Sequence, residues 1–208
     1  MTGWGRRWGA LTIQEFRSVG RRRLAAVAAA AVFGGALAML AGLIAAPGPW
    51  EQGYVSEAGV TGLPFAGVYR TGLVVLAIGV GCLGLSLRAR LLLVAAVLAG
   101  ISGAVPCTAG CPLPPYEVST FGDVVHAGAA ILGMAVLAGA MAVRWWTADD
   151  RLSGLAAGVV VPVGGALGLT MVFAGRVPLG AVLERLLLVV AVAWLIGTGL
   201  RRWLDPSP

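Results

Sequence analysis

Residues 180–197 read GAVLERLLLVVAVAWLIG, an apolar run that is long enough to cross a bilayer as a helix and contains only two charged residues, Glu184 and Arg185. With the runs that precede it, six such segments lie at residues 24–46, 71–87, 91–105, 124–143, 155–174 and 179–200. The second and third are short and close together around SLRARLL, which predicts a tight helical hairpin or helices that extend past these limits. The sequence therefore predicts an all-α integral membrane protein, a bundle of six transmembrane helices.

The composition agrees with a membrane protein. Of the 208 residues, 59% are hydrophobic and only 12% are charged, and the mean hydropathy is +0.91. Soluble domains carry about twice that share of charged residues. Glycine occupies 32 positions, which favours the close helix packing found in lipid. The net charge of +6 is interpreted as a topology signal, so no nucleic-acid partner is predicted.

The distribution of arginine predicts the orientation, because cytoplasmic segments of membrane proteins collect arginine. With the N-terminus in the cytoplasm, 12 of the 15 arginines are cytoplasmic, and only Arg70, Arg176 and Arg185 lie outside. Tryptophan favours membrane interfaces, and all tryptophans except Trp194 fall at predicted helix ends. Both termini are therefore predicted to be cytoplasmic.

Three regions are predicted along the chain. Residues 1–23 form a basic, tryptophan-containing leader, residues 24–202 the six-helix domain, and residues 203–208 a short cytoplasmic tail. The first apolar run is longer than a signal-peptide core, which predicts an uncleaved helix. The leader is either an ordinary positive-inside anchor or a segment that lies on an anionic inner leaflet.

Two predicted outer loops carry most of the remaining polar side chains, PGPWEQGYVSEAGVTGLPFAGVYR and PCTAGCPLPPYEVSTFGD. The inner loops are short and basic, so any binding or catalytic site is predicted to face the outside. Its predicted ligand-binding residues are Ser56, Glu57, Arg70, Asp123, His126, Glu184 and Arg185.

Several of these motifs resemble a known family. VSEAG after the first helix, AVPCTAGCP after the third, a histidine in the fourth and GAVLERLLLVVAVAW in the sixth resemble the six-helix bacterial and archaeal membrane family catalogued as domain of unknown function 998. The likeness spans residues 24–202 and departs at Ala58, where a larger apolar residue is commoner. The matching residues are Ser56, Glu57, Gly59, Pro106, Cys107, His126, Gly180, Glu184, Arg185 and Trp194. The resemblance implies the fold and a prokaryotic cell membrane, but no activity.

Glu184 and Arg185 lie within an apolar helix, so each is expected to need an interaction partner from another part of the protein. Glu184 is predicted to lie about 9 Å along its helix, where an ionised acid needs a partner. Adjacent helical residues point about 100° apart, so the two charges are predicted to contact different helices. Arg185 is expected to reach Glu57, His126 or Asp123, and Arg70 to balance Glu184. The cluster is either an ionic lock or a ligand site.

Asp123 and His126 share a helix face because they are three positions apart. The carboxylate could orient the imidazole for acid–base chemistry, or the pair could be a buried hydrogen bond. One histidine without a second nitrogen donor makes a poor zinc set, so no metal is predicted, and no other cofactor.

Cys107 and Cys111 lie four positions apart in the second outer loop. Thiols outside the cytoplasm tend to be oxidised, which favours a small structural disulfide. Free thiols or a redox pair are the alternatives. Cys82 is predicted to be a packing residue.

Two classes of function remain after simple exclusions. Without lysine there is no Schiff base to a cofactor, and one histidine excludes bis-histidine haem. The favoured class is a non-enzymatic protein whose outer pocket binds a lipid headgroup, a small amphiphile or a partner membrane protein. The alternative is a membrane-embedded enzyme acting on a lipid-like substrate at the outer face, with His126, Glu57 or Asp123 as weak catalytic candidates and Ser56, Cys107, Ser119 or Thr120 as possible nucleophiles.

Overall fold

The computed structural model describes the backbone of residues 13–204 and the side chains of residues 18–204. These residues form six α-helices: α1 (Ile13–Ala45), α2 (Ala66–Leu87), α3 (Arg90–Ala104), α4 (Phe121–Ala148), α5 (Arg151–Ala174) and α6 (Pro178–Leu204). A short 3₁₀ helix, Val55–Gly59, lies between α1 and α2, and the described residues contain no strand. The predicted all-α fold is confirmed. Most of the predicted leader (residues 1–12) and residues 205–208 of the tail lie outside the described residues.

The helices extend past most of the apolar runs. α1 begins at Ile13 rather than at residue 24, so the helix includes Arg21, Arg22 and Arg23, which precede the apolar run. α2 is also longer than its run, whereas α3 has only 15 residues. Five helices are long and apolar enough to cross a membrane, and α3 is a shorter apolar helix. These five helices support a membrane-embedded protein.

The helices form a closed ring. Each helix packs on the next along the chain, and α6 also packs on α1. Neighbouring helices run antiparallel, and because their number is even the closing pair is antiparallel as well. Most of the buried side chains are apolar, and they include many alanines as well as large residues such as Trp194 and Leu83. Other large apolar side chains are exposed on the outside, among them Phe33, Ile78, Val97, Phe173 and Val189. An apolar outer surface suits contact with lipid.

α1 and α2 approach each other closely through glycine. A Cβ added at Gly72 would lie 2.7 Å from the carbonyl oxygen of Gly35, closer than such atoms pack. Small residues at such crossings let helix backbones meet without a hydrophobic driving force. The glycine-rich composition is therefore used for helix packing at this contact.

The connections divide the ring into two ends. Arg88 and Asp149 take left-handed backbone conformations, which close short connections between α2 and α3 and between α4 and α5. We call this side, with the start of α1 and the end of α6, the arginine end. The opposite side carries the long connections of residues 46–65 (the first loop) and 105–120 (the second loop), and we call it the loop end. Of the twelve arginines in residues 18–204, nine lie at the arginine end, which matches the asymmetry expected of a membrane protein.

Candidate functional site

All seven predicted ligand-binding residues lie at the loop end, but they do not line one pocket. One group contacts the first loop, a second group contacts the second loop, and Arg70 lies apart between α2 and α3.

Glu184 accepts a hydrogen bond from the backbone of the first loop. Its Oε2 atom lies 2.6 Å from the backbone nitrogen of Val55, the first residue of the 3₁₀ helix. The first N–H groups of a helix have no partner inside it, so a carboxylate at this place satisfies one of them. The prediction that Arg70 balances Glu184 is wrong, because the guanidinium of Arg70 contacts α3 instead.

Arg185 contacts the same loop a few residues earlier. Its Nη2 donates to the carbonyl oxygen of Trp50 at 2.6 Å, and its Nη1 donates to Gly53 at 2.9 Å and to Ala181 of its own helix at 2.9 Å. The expected pairing with Glu57, His126 or Asp123 is wrong, since backbone carbonyls take its donors. The two adjacent charges do diverge, but both hold the first loop rather than two different helices.

Glu57 links the first loop to the connection between α5 and α6. Its Oε1 accepts the backbone N–H of Tyr54 at 2.8 Å, which caps the 3₁₀ helix, and its Oε2 pairs with Arg176. Arg176 was not in the predicted set, although it is one of three arginines predicted outside. Its position between two helix ends, in a short polar connection, is the signal that could have identified it.

Gly180 has a steric role at this contact. A Cβ at Gly180 would lie 2.7 Å from the hydroxyl oxygen of Tyr54. Tyr54 is buried, and burial together with the nearby carboxylate of Glu184 raises the pKa of its phenol. The Gly-x-x-x-Glu-Arg motif therefore contacts the first loop at three points. Gly180 leaves space for Tyr54, Glu184 accepts from Val55, and Arg185 donates to the carbonyls of Trp50 and Gly53.

Asp123 joins the second loop to the start of α4. Its carboxylate accepts the backbone N–H of Thr120 at 2.8 Å, and the Thr120 hydroxyl oxygen accepts the backbone N–H of Asp123 at 3.2 Å, which together form a capping box. The Thr120 hydroxyl also donates to the carboxylate at 2.7 Å. It also accepts the backbone N–H of Thr108 at 2.6 Å and the Thr108 hydroxyl. Asp123 is almost fully buried, so these bonds replace its hydration. Thr108 was not predicted.

His126 contacts the end of α3 rather than Asp123. Its Nδ1 lies 2.8 Å from the carbonyl oxygen of Ser102 and 2.9 Å from that of Val105. Because both neighbours are acceptors, Nδ1 carries the proton. Nε2 is buried and has no partner among the described residues. Neither interpretation of the Asp123–His126 pair is observed, because Asp123 bonds to Thr108 and Thr120 and His126 bonds to the backbone at the end of α3.

Cys107 and Cys111 are joined by a disulfide, as predicted. The bridge packs against Val60 and Leu63 of the first loop, and the Sγ atom of Cys107 lies 4.0 Å from the carbonyl oxygen of Ser56. The two loops therefore meet at the disulfide. Cys82 is partly buried against the core, as predicted for a packing residue.

Arg70 lines the larger cavity at the loop end. An open cleft of about 290 Å³ lies between α2 and α3, lined by Gly67, Arg70, Thr71, Val74, Gly103 and Ala104. The Arg70 side chain donates to the carbonyl oxygens of Gly103 at 3.2 Å and Ala104 at 2.6 Å, which end α3. No carboxylate within the described residues forms an ion pair with it.

A second cavity, beside Tyr54, Tyr116 and Arg176, has a volume of only about 10 Å³, which is room for one water molecule at most. Of these two cavities, the one that a ligand group can enter is lined by Arg70.

No family model matches the chain, and no match was found among curated proteins or solved structures. The resemblance to the domain of unknown function 998 family rests on its motifs and stays a prediction.

Proposed function

We propose that the chain is a multi-pass membrane protein with six transmembrane helices, both termini in the cytoplasm, and an anionic phospholipid headgroup bound by Arg70 in the cleft between α2 and α3. The single observation that carries the binding proposal is a cation without a carboxylate partner in the described chain, facing an open cleft. A prokaryotic plasma membrane follows from the family resemblance.

The ring supports six crossings. α3 runs from the arginine end to the loop end, because Arg90 follows the tight connection after α2 and Ala104 meets Arg70 near the start of α2. A chain with both termini on one side of the membrane must cross it an even number of times, so α3 has to cross as well as the five longer helices. At 15 residues α3 is about 22 Å long, shorter than a hydrocarbon core of about 30 Å.

The short α3 explains why a headgroup would meet Arg70. A helix shorter than the bilayer is accommodated by local thinning, which brings headgroups toward its end. Arg70 lies at that end, beside the exposed Thr71 and Ala104. A guanidinium binds phosphate oxygens with two parallel hydrogen bonds. In Arg70 only Nε and Nη2 donate to protein carbonyls of the described chain, so Nη1 is left to donate to a phosphate. The apolar surface around the cleft suits acyl chains.

The remaining predicted residues support the fold at this end rather than a pocket, because Glu57, Asp123, Glu184 and Arg185 all bond to loop backbone. The alternative of a membrane-embedded enzyme has no supporting contact in the described chain. Of its candidate bases, Glu57 and Asp123 accept hydrogen bonds from the loop backbone, and Nε2 of His126 is buried without a partner among the described residues.

Labelling of single cysteines tests the topology. In a background with Cys82, Cys107 and Cys111 replaced by serine, a probe at the exposed Gln52 should react with an impermeant maleimide added to intact cells. A probe at the exposed Thr147 should react only after the cells are opened. Labelling of Thr147 in sealed cells would contradict the proposed orientation.

Lipid retention tests the binding site. The protein is purified in mild detergent with equal amounts of phosphatidylglycerol and phosphatidylcholine, and native mass spectrometry counts bound lipid. Wild type should retain phosphatidylglycerol preferentially, and Arg70→Gln should lose that preference. Ala104→Leu, which fills the cleft without changing charge, should reduce retention of both lipids. Val97→Leu, an exposed outer position on α3, is the control and should leave retention unchanged. Equal lipid preference in wild type and Arg70→Gln would overturn the proposal.

A further inference from the structure

Three potential metal ligands meet where the second loop crosses the end of α3. The Sγ atoms of Cys107 and Cys111 and a ring nitrogen of His126 lie within 4.8 Å of one another. All three residues are buried, with 3%, 8% and 6% of their surface exposed. The cysteine Cα atoms are 5.0 Å apart, so both side chains can also point at one atom without moving the backbone far.

The histidine is already held as a metal ligand would be. Histidines that bind metal commonly donate their other ring N–H to a backbone carbonyl, which fixes the tautomer. Nδ1 of His126 makes this contact with Ser102 and Val105, which leaves the lone pair on Nε2. Nε2 is buried without a partner in the described part of the chain, a state that costs free energy unless a ligand fills it.

We propose that Cys107, Cys111 and His126 bind one zinc ion when the cysteines are reduced. An external dithiol supplies two electrons and two protons, breaks the S–S bond and leaves two thiols. Zn²⁺ then displaces both thiol protons to solvent and forms two Zn–S bonds and one bond to Nε2, and a water molecule from solvent takes the fourth position. Tetrahedral zinc with sulfur at about 2.3 Å and nitrogen at about 2.0 Å keeps its ligand atoms about 3.5 to 3.8 Å apart. The three ligand atoms already lie within 4.8 Å of one another, so rotation of the two cysteine side chains after reduction would give this separation.

Charge selects zinc over Cu⁺, which also prefers thiolates. Two thiolates and a neutral imidazole cancel the charge of Zn²⁺, so the loaded site is neutral. The same ligands around Cu⁺ would leave one negative charge among buried groups, which is costly. The sequence predicts no metal because only one histidine is present; two sulfur ligands brought to that histidine change the donor set.

Metal titration of the full-length protein in detergent tests the site. The sample is reduced with a phosphine under anaerobic conditions and titrated with Co²⁺, whose thiolate charge-transfer and visible bands report tetrahedral sulfur ligation. Zn²⁺ is then added and should displace the bands with a stoichiometry of one per chain. The unreduced protein should show neither the bands nor the bound zinc. Absence of both in the reduced wild type would overturn the proposal.

Variants separate this site from adventitious thiol binding. Cys107→Ser and Cys111→Ser should each abolish the bands. His126→Asn keeps a side-chain N–H that can donate to the carbonyls but has no imidazole lone pair, and zinc affinity should fall by about 100-fold or more, since even second-shell changes cost 10- to 100-fold. Cys82→Ser is the matched control and should bind like wild type, and size-exclusion elution checks that each variant is folded. Unchanged affinity in His126→Asn, or bands lost in Cys82→Ser, would refute the assignment.

Discussion

The two ends of the ring use charged side chains in different ways. At the arginine end, side chains bond to each other around Asp150, which accepts hydrogen bonds from Ser153 at 2.8 Å and Arg144 at 3.2 Å and has Arg201 3.5 Å away. Ser153 in turn accepts the indole N–H of the buried Trp194 at 2.9 Å. This network links α4, α5 and α6 directly. Arg22 differs, because its Nε donates to the backbone carbonyl of Trp203 at 3.0 Å.

At the loop end, most charges bond to backbone instead. Glu184 and Asp123 accept loop N–H groups, and Arg185 and Arg70 donate to carbonyls. The pairing of Glu57 with Arg176 is the exception, and its side chains are 24% and 39% exposed.

The difference follows from the length of the connections. The turn between α4 and α5 is only two residues long, so few backbone groups there lack a helical partner. The first and second loops are long and contain little regular structure, so many of their N–H and C=O groups need other partners. Charged side chains at the loop end satisfy those groups, which explains why most opposite charges there, apart from Glu57 and Arg176, are not paired with each other.

Removal of Asp123 should have the largest effect on stability. Asp123→Ala removes the acceptor of the backbone N–H groups of Thr108 and Thr120 and breaks the capping box of α4, a loss of about 3 kcal/mol. Asp123→Asn retains one acceptor oxygen and should lose less. Thermal unfolding in detergent measures both, with Glu117→Ala as the control because that acid is exposed in the same loop. Equal stability of the Asp123→Ala and Glu117→Ala variants would show that the carboxylate does not hold the second loop.

Arg185 should show a smaller effect that is coupled only weakly to Glu57. Arg185→Leu leaves the carbonyls of Trp50 and Gly53 without their donor, which should cost about 1–3 kcal/mol. Arg185 and Glu57 hold neighbouring residues of the first loop without contacting each other, so a double-mutant cycle of Arg185→Leu and Glu57→Gln should show less coupling than a cycle of Glu57 with its direct partner. The same cycle with Arg176→Gln in place of Arg185→Leu should show coupling. Strong coupling of Arg185 to Glu57 would restore the charge pair that the sequence predicts.

The helices and the location of the charges could be predicted from sequence because both depend on local patterns. Apolar runs mark the helices, and position along a run places Glu184 and Arg185 near one end. The start of α4 could also be predicted from sequence, because Thr120-Phe121-Gly122-Asp123 is a capping-box pattern. The helix begins at Phe121, as this pattern indicates, rather than at residue 124. The apolar runs alone missed it because a capping segment is polar.

The partners of the charges could not be predicted in the same way. Opposite charges suggested Arg185 with Glu57 and Arg70 with Glu184, but loop backbone competes for the same side chains and carries no signal in residue type. Where Trp50, Gly53 and Val55 lie depends on how the first loop folds over α6. A count of loop N–H and C=O groups without helical partners could have indicated that charged side chains would bond to backbone there. It would not have indicated which side chain bonds to which backbone group.

Asp150 should show the smallest effect, and one that depends on pH. Burial alone would raise its pKa, but hydrogen bonds from Ser153 and Arg144 and the charge of Arg144 lower the pKa below the ordinary value. Asp150 therefore stabilises the fold above the unfolded pKa of about 3.9, and this contribution is lost as the pH falls through the lowered pKa of the folded state. Asp150→Asn keeps an oxygen for Ser153 but loses the charge, so wild type should be the more stable at neutral pH, and the difference should shrink at acid pH.

Asp149 provides the matched control for this measurement. It is the exposed neighbour of Asp150, and asparagine tolerates its left-handed backbone, so Asp149→Asn removes the same charge without touching the network. Melting temperatures are recorded from about pH 7 to about pH 3 for both variants and wild type. Only the difference between wild type and Asp150→Asn should narrow with acid. If that difference is the same at every pH, the carboxylate of Asp150 contributes through its hydrogen bonds alone, and side-chain charge pairing would no longer distinguish the arginine end from the loop end.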